Sequence, residues 1–206
     1  MNQTNSTTAP DNVFSLLRRV LPTRKLRLFE HQVIAEQQAI KLHELLNQTG
    51  PPADLGWLTK LKNVTVVLQP RWKMDGLSGM SSFDDGHWVI GVNKGNPHAR
   101  RRFTLCHELK HVLDADRDKI TYRALTADQH ESVADYFAAC YLMPKLWLRR
   151  AWTRGIQDPD ALAGLFNVSQ PAMEKRLRYL GFIDNEPNRS IASYFRRGTN
   201  QLDLAA

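Results

Sequence analysis

The 206-residue sequence predicts an α+β fold. A small three-stranded antiparallel sheet packs on a histidine-bearing helix, and a C-terminal helical subdomain follows. Three observations predict it. Apolar residues recur at helical spacing over 28–48, 103–113, 130–143 and 160–181. The β-branched and apolar runs fall between 64 and 92. Within them, Asp84-Asp85-Gly86 is a hairpin turn signal.

The elements follow in chain order. Residues 1–25, rich in Asn, Thr and Ser at the start, read as a flexible N-terminal segment with a short helix over Val13 to Val20. From Leu28 to Gln48 a helix is predicted, with Ile34, Ala35, Ala39, Ile40, Leu42, Leu45 and Leu46 on its apolar face; Gly50-Pro51-Pro52 ends it. Val64 to Leu68, Leu77 to Phe83 and His87 to Val92 read as strands. Asn93 to Pro97 leads into the next helix, with Asn96 as N-cap and Pro97 in the first turn.

That helix carries His107-Glu108-Leu109-Lys110-His111. Histidines at i and i+4 lie on one face, about one turn apart, so both imidazoles can reach one metal ion. The adjacent Glu108 can then hold and deprotonate a metal-bound water. This is the H-E-x-x-H spacing of zinc proteases. On a helical wheel Thr104, His107, Glu108 and His111 share one arc, and Leu105, Cys106, Leu109, Val112 and Leu113 share the other.

A catalytic zinc takes three protein ligands and keeps one position open. A third histidine six residues on, after a glycine, is excluded, because those places hold Arg117 and Asp114. The favoured source is the helix His130 to Met143, stopped by Pro144. Glu131 and Asp135 lie four apart on it. Glu131 is read as the third ligand and Asp135 as the acceptor that orients a ligand histidine. His130 and Asp135 are the alternative ligands. Tyr122, Arg123, His130 and Tyr136 are candidates for stabilising the transition state or contacting substrate.

Arg102 to His111, then Glu131 to Ala139, then Leu142-Met143-Pro144 resemble the ImmA/IrrE family of zinc metallopeptidases. The resemblance covers roughly residues 30 to 183. It implies a zincin-like core over 26–150 and a gluzincin-type site with one Zn2+ per chain. His107, His111 and Glu131 would be the ligands and Glu108 the catalytic carboxylate. It also implies a substrate, a helix-turn-helix transcriptional repressor of a mobile-element or stress operon. Two places depart from the family pattern. Val133 and Asp135 stand where many members carry an acidic residue and an asparagine, and Lys110 replaces a residue that is often small.

Residues 151–184 read as helix, tight turn, helix, with Ser169 as N-cap and Gly181 as C-cap. Leu162, Leu165 and Phe166 face Val168, Met173, Leu177 and Leu180. This resembles a helix-turn-helix, with Gln170, Lys175, Arg176 and Arg178 as nucleic-acid or partner contacts. Packing on the peptidase, or against a protein partner, is favoured over DNA binding. Residues 185–206 read as a polar tail.

Composition narrows the function classes. The net charge is +7 and the pI about 9.6, which suits an acidic partner or nucleic acid as well as a solvated basic surface. Two cysteines argue against a disulfide framework. No apolar run reaches the ~18 residues of a membrane span, and the start lacks the features of a signal peptide. The expectation is a cytoplasmic protein without membrane contact. The alternative function is a DNA- or repressor-binding regulator whose zinc site is structural or sensory.

Overall fold

The computed structural model describes residues 12–115 and 121–184. The expected polar tail at 185–206 and residues 1–11 lie outside the described residues. Helices α1 (Val13–Arg18), α2 (Leu28–Leu45), α3 (His98–Leu113), α4 (Ala127–Leu142), α5 (Lys145–Thr153), α6 (Pro159–Phe166) and α7 (Gln170–Tyr179) surround strands β1 (Val64–Gln69), β2 (Gly79–Asp84) and β3 (His87–Asn93). Helix α3 lies between the sheet and α4, and α4 packs in turn on α2.

The sheet corrects the expected antiparallel arrangement. Its order is β1-β3-β2. β3 runs parallel to β1, with Val66 opposite Ile90, and antiparallel to β2, with Ser81 opposite Ile90. The physical reason is the connection over residues 70–78. It carries the chain to the far edge, and the hairpin then returns β3 into the middle. The turn is as expected: Asp85 and Gly86 both have positive φ, 42° and 79°, the geometry of a two-residue hairpin whose twist matches its strands. The segment His87 to Val92 is therefore central, and β2 is an edge strand packed on α3.

One face of α3 enters the core. Cys106, Leu109, Val112 and Leu113 are buried with Phe137, Cys140 and Tyr141 of α4. Truncating Leu109 to alanine would cost about 2–5 kcal/mol. The segment expected to be flexible is anchored over α1, where Val13, Phe14 and Leu17 are buried. Arg18 donates from Nε to the Leu113 carbonyl at 3.1 Å and from Nη2 to that of Val112 at 2.9 Å. These bonds satisfy carbonyls that the end of α3 leaves without helical partners.

The C-terminal helices are both capped by side chains, at Ser169 as the sequence predicts and at Asp158 as well. Asp158 Oδ2 accepts from the Ala161 amide, and Ser169 Oγ from that of Ala172. Asn167, between them, adopts a left-handed conformation at φ 54°. Arg102 of α3 holds this turn in place, donating from Nε to the Asn167 carbonyl at 3.1 Å and from Nη2 to that of Ala53 at 2.6 Å. Leu162, Phe166, Val168, Met173 and Leu177 are buried, whereas Leu165, expected in this cluster, is exposed.

Candidate metal centre

Helices α3 and α4 bring His107, His111 and Glu131 together. The start of α4 is set by a capping box, in which the Thr126 hydroxyl accepts from the Gln129 amide and the Gln129 side chain accepts from the Thr126 amide. Glu131 then falls in the second turn, facing the histidine arc of α3. His107 Nε2 stands 3.0 Å from His111 Nε2 and 3.1 Å from Glu131 Oε2. His111 Nε2 stands 3.3 Å from Glu131 Oε1. One donor atom from each of the three lies within 4.8 Å of the others. The other face of the His107 ring is committed, because Nδ1 donates to Asp135 Oδ1 at 2.9 Å. In the neutral ring that leaves the Nε2 lone pair turned toward His111 and Glu131.

Glu108 sits beside this cluster, buried at 7% exposure. β2 covers this side of α3. A Cβ built on Gly79 would stand 2.8 Å from Glu108 Oε1 and would collide with Thr104 Cγ2, so only a glycine lets the strand lie this close. Burial pushes the Glu108 carboxyl up, against the lowering effect of the Ser81 hydroxyl and of His107. For His107, burial works to lower its pKa, but the bond to Asp135 and the charges of Asp135, Glu108 and Glu131 outweigh it and raise it. A cleft of about 620 Å³, lined by Gly79, His107, Glu108, Glu131, Asp135 and Ala172 among others, opens over the cluster.

The sequence-derived auxiliary residues divide. Tyr122 is buried, and its hydroxyl donates to Asp114 Oδ1 at 2.6 Å. His130 stacks on the Tyr122 ring at 6.0 Å. Arg123 is exposed in the turn before α4. None of these three lines the cleft. Tyr122 instead packs at the end of α3, where Asp114 accepts its hydroxyl. Tyr136 lines an adjoining cavity that shares Glu131 and Asp135 with the cleft. Gln170 and Lys175 are exposed, and Arg178 pairs with Glu174 at 2.9 Å. Arg176 is buried and donates from Nε to the Met143 carbonyl at 3.2 Å.

Three features escape sequence reasoning. Gly79 and Ser81 contact Glu108 only because β2 is the edge strand. Lys110, whose departure from the family pattern had no sequence explanation, is buried and donates to Asp114 Oδ1 at 2.6 Å and Gln38 Oε1 at 2.9 Å. Its place on the core side of α3, three residues from His107, was the available signal. Cys106 and Cys140 are buried and unbridged, as expected of core thiols. Burial pushes the Cys140 thiol up to about 11. No described helix is long and apolar enough to cross a membrane.

Among curated proteins, none matches the chain at a significant level. A solved structure, described as a Mycobacterium tuberculosis transcriptional regulator, aligns over 82% of the chain at 17% identity with a TM-score of 0.46. The chain spans 51% of that protein's length. A family model described as Peptidase_M78, the IrrE N-terminal-like domain, matches residues 64–178, a span that includes both strands and helices of the metal centre. The chain thus belongs to the IrrE N-terminal-like peptidase family.

Proposed function

We propose that the protein is a zinc-dependent endopeptidase. The observation that carries this reading is the convergence of His107, His111 and Glu131 next to a buried Glu108. The donor set fits the ion: with zinc bonds of about 2.0–2.2 Å and tetrahedral angles, ligand atoms stand roughly 3.3–3.5 Å apart. The contacts of 3.0, 3.1 and 3.3 Å are close to that spacing. Two neutral imidazoles and a carboxylate with one position open suit zinc among divalent ions. When bound, zinc would supply a Lewis acid for the peptide carbonyl and bring the pKa of water down toward about 7.

The chain's own residues do the rest. Glu108 is the general base that takes the proton from the attacking water and the acid that returns it to the leaving amine. Asp135 holds His107 in the tautomer that presents Nε2. Substrate lies extended along β2, the exposed edge strand, by backbone hydrogen bonds, with its scissile carbonyl in the cleft. The protein substrate that the ImmA/IrrE resemblance implies is a helix-turn-helix repressor, whose cleavage relieves repression of an operon.

Glu108→Gln tests the reading. The expected result is full zinc content by elemental mass spectrometry with at least a hundredfold loss of peptide cleavage. A regulator with a structural or sensory zinc site would be indifferent to this change, and wild-type behaviour of the variant overturns the peptidase reading.

A further inference from the structure

A second cavity, of about 430 Å³, adjoins the metal cleft, and Phe103, Glu131, Asp135 and Ala172 line both. A substrate crossing the metal centre would have a neighbouring side chain within reach of it. Its walls are largely apolar, from Tyr136, Ala139, Met143 and Ala172, and Arg176 lines it with Tyr179. The Arg176 side chain is 2% exposed. Its Nε donates to the Met143 carbonyl, and the Cys140 thiol lies against the guanidinium. Nη1 and Nη2 are buried and make no hydrogen bond to any described residue. Glu36 Oε1 stands 4.0 Å from Nη2, too far for a hydrogen bond. The guanidinium lies 5.7 Å from the Tyr136 ring centre and 5.9 Å from that of Tyr179.

A buried guanidinium with two unbonded nitrogens is costly, and aromatic faces offset only part of that cost. A carboxylate satisfies both nitrogens at once, because its two oxygens match the guanidinium fork. Of the acidic residues nearby, Glu36 pairs with the guanidinium only at 4.0 Å, beyond hydrogen-bond reach, and its other oxygen accepts from the Tyr136 hydroxyl at 3.4 Å. Glu131 and Asp135 turn to the histidines, and Asp128 lines the cavity with Lys175 beside it.

We propose that this cavity is a substrate subsite that selects a carboxylate, and that Arg176 is its specificity-determining residue. The proposal rests on the peptidase reading of the neighbouring centre. The carboxylate is an acidic side chain close to the scissile bond or a substrate's C-terminus.

The test uses the zinc-loaded full chain and two degenerate peptide pools, one amidated and one with free C-termini. Cleavage sites are mapped by mass spectrometry, with Glu108→Gln as the blank. The expected result is an enrichment of at least about tenfold for Asp or Glu at one position in the amidated pool. Enrichment confined to the free-terminus pool would identify the terminal carboxylate instead. In Arg176→Gln the ratio of acidic to neutral sites should fall toward one. If that variant fails to fold, Ala172→Leu, which narrows the cavity from another wall, should lower the same ratio. Cleavage without acidic preference, or a preference that survives these changes, overturns the proposal.

If neither pool is cut in a Glu108-dependent way, it is the peptidase reading that fails. The subsite is then judged by the NMR shift of the Arg176 Nε–H on adding N-acetylglutamate amide or N-acetylglutamine amide. A shift with the carboxylate alone supports it, and equal or absent shifts overturn it.

Discussion

His107 Nδ1 donates to Asp135 Oδ1 at 2.9 Å, and this one bond decides which nitrogen of His107 faces His111 and Glu131. Without it the ring could turn or take the other tautomer, and the donor set would lose its shared focus. Such partners of a ligand histidine are typically worth about 10–100-fold in metal affinity. Asp135→Ala is expected to weaken zinc binding by that factor, read by competition with a chromophoric chelator. Glu131→Ala should weaken it further, since it removes a donor atom. Equal affinity in Asp135→Ala and wild type would show that the ring is held by other means.

Gly79 is the glycine on which the close approach of β2 to Glu108 depends. A methyl group there meets Thr104 Cγ2 and Glu108 Oε1 together. Gly79→Ala is expected to destabilise the fold by about 1–3 kcal/mol through overpacking. It should also lower kcat by shifting the carboxylate. Adding Thr104→Ser removes the methyl partner but leaves the Glu108 contact. Thermal stability should therefore recover in the double variant while kcat stays low. Recovery of both would show that Glu108 yields to the extra methyl without functional consequence.

The convergence of His107, His111 and Glu131 was legible because its information is local. His107 and His111 share a helical face by spacing alone, and the buried stripe Cys106, Leu109, Val112 and Leu113 follows from the same period. Glu131 and Asp135 needed only a second helix. The sheet order was not legible, because the hairpin at Asp85-Gly86 fixes how β2 and β3 pair but not where β1 docks. That choice depends on the path of residues 70–78 around the end of the sheet, a matter of packing. Arg176 illustrates the other failure. Its charge suggested an exposed contact, whereas the turn at Asn167 rolls α7 so that Arg176 faces Met143 and Tyr136. Tyr122 misled similarly, because its partner Asp114 lies at the end of another helix.

Two histidines outside the centre make acid stability predictable. His43 is buried, stacks on Tyr141 at 4.5 Å and donates from Nε2 to the Tyr141 carbonyl at 2.9 Å. Burial lowers its pKa, against the raising effect of that carbonyl and of Gln48. Burial likewise lowers that of His31, against the Thr121 carbonyl. Both stay neutral in the folded protein at pH values where the unfolded chain, with an ordinary value of about 6.5, takes up protons. The unfolded state then binds more protons, so stability falls as pH drops below about 6.5 and on toward the depressed folded values. Each histidine contributes at most about 1.4 kcal/mol per pH unit. Urea unfolding between pH 7.5 and 5 should show this decline, and His43→Gln should decline less steeply than wild type. Identical slopes would show that His43 titrates alike in both states.

Lys110 supplies the most stringent test of the core behind the metal helix. Its ammonium is 1% exposed and is held by Asp114 Oδ1 at 2.6 Å and Gln38 Oε1 at 2.9 Å, 6.0 Å from the centre of the Tyr122 ring. Asp114 also accepts the Tyr122 hydroxyl at 2.6 Å, and Gln38 donates to the Leu17 carbonyl at 3.1 Å. The network therefore joins α1, α2, the end of α3 and the turn before α4. Removing the cation alone strands a buried carboxylate, so Lys110→Met should cost about 3–5 kcal/mol of stability. Replacing the pair together, as Lys110→Met with Asp114→Asn, should cost less than the sum of the single changes, because no unpaired charge then remains. A double-mutant cycle by denaturant unfolding measures this coupling. Additive losses would mean that the two charges are solvated independently. If the network also holds the His107–His111 face in register, Lys110→Met should lower zinc affinity although Lys110 contributes no donor atom. Unchanged affinity in a folded Lys110→Met protein would confine its role to the core.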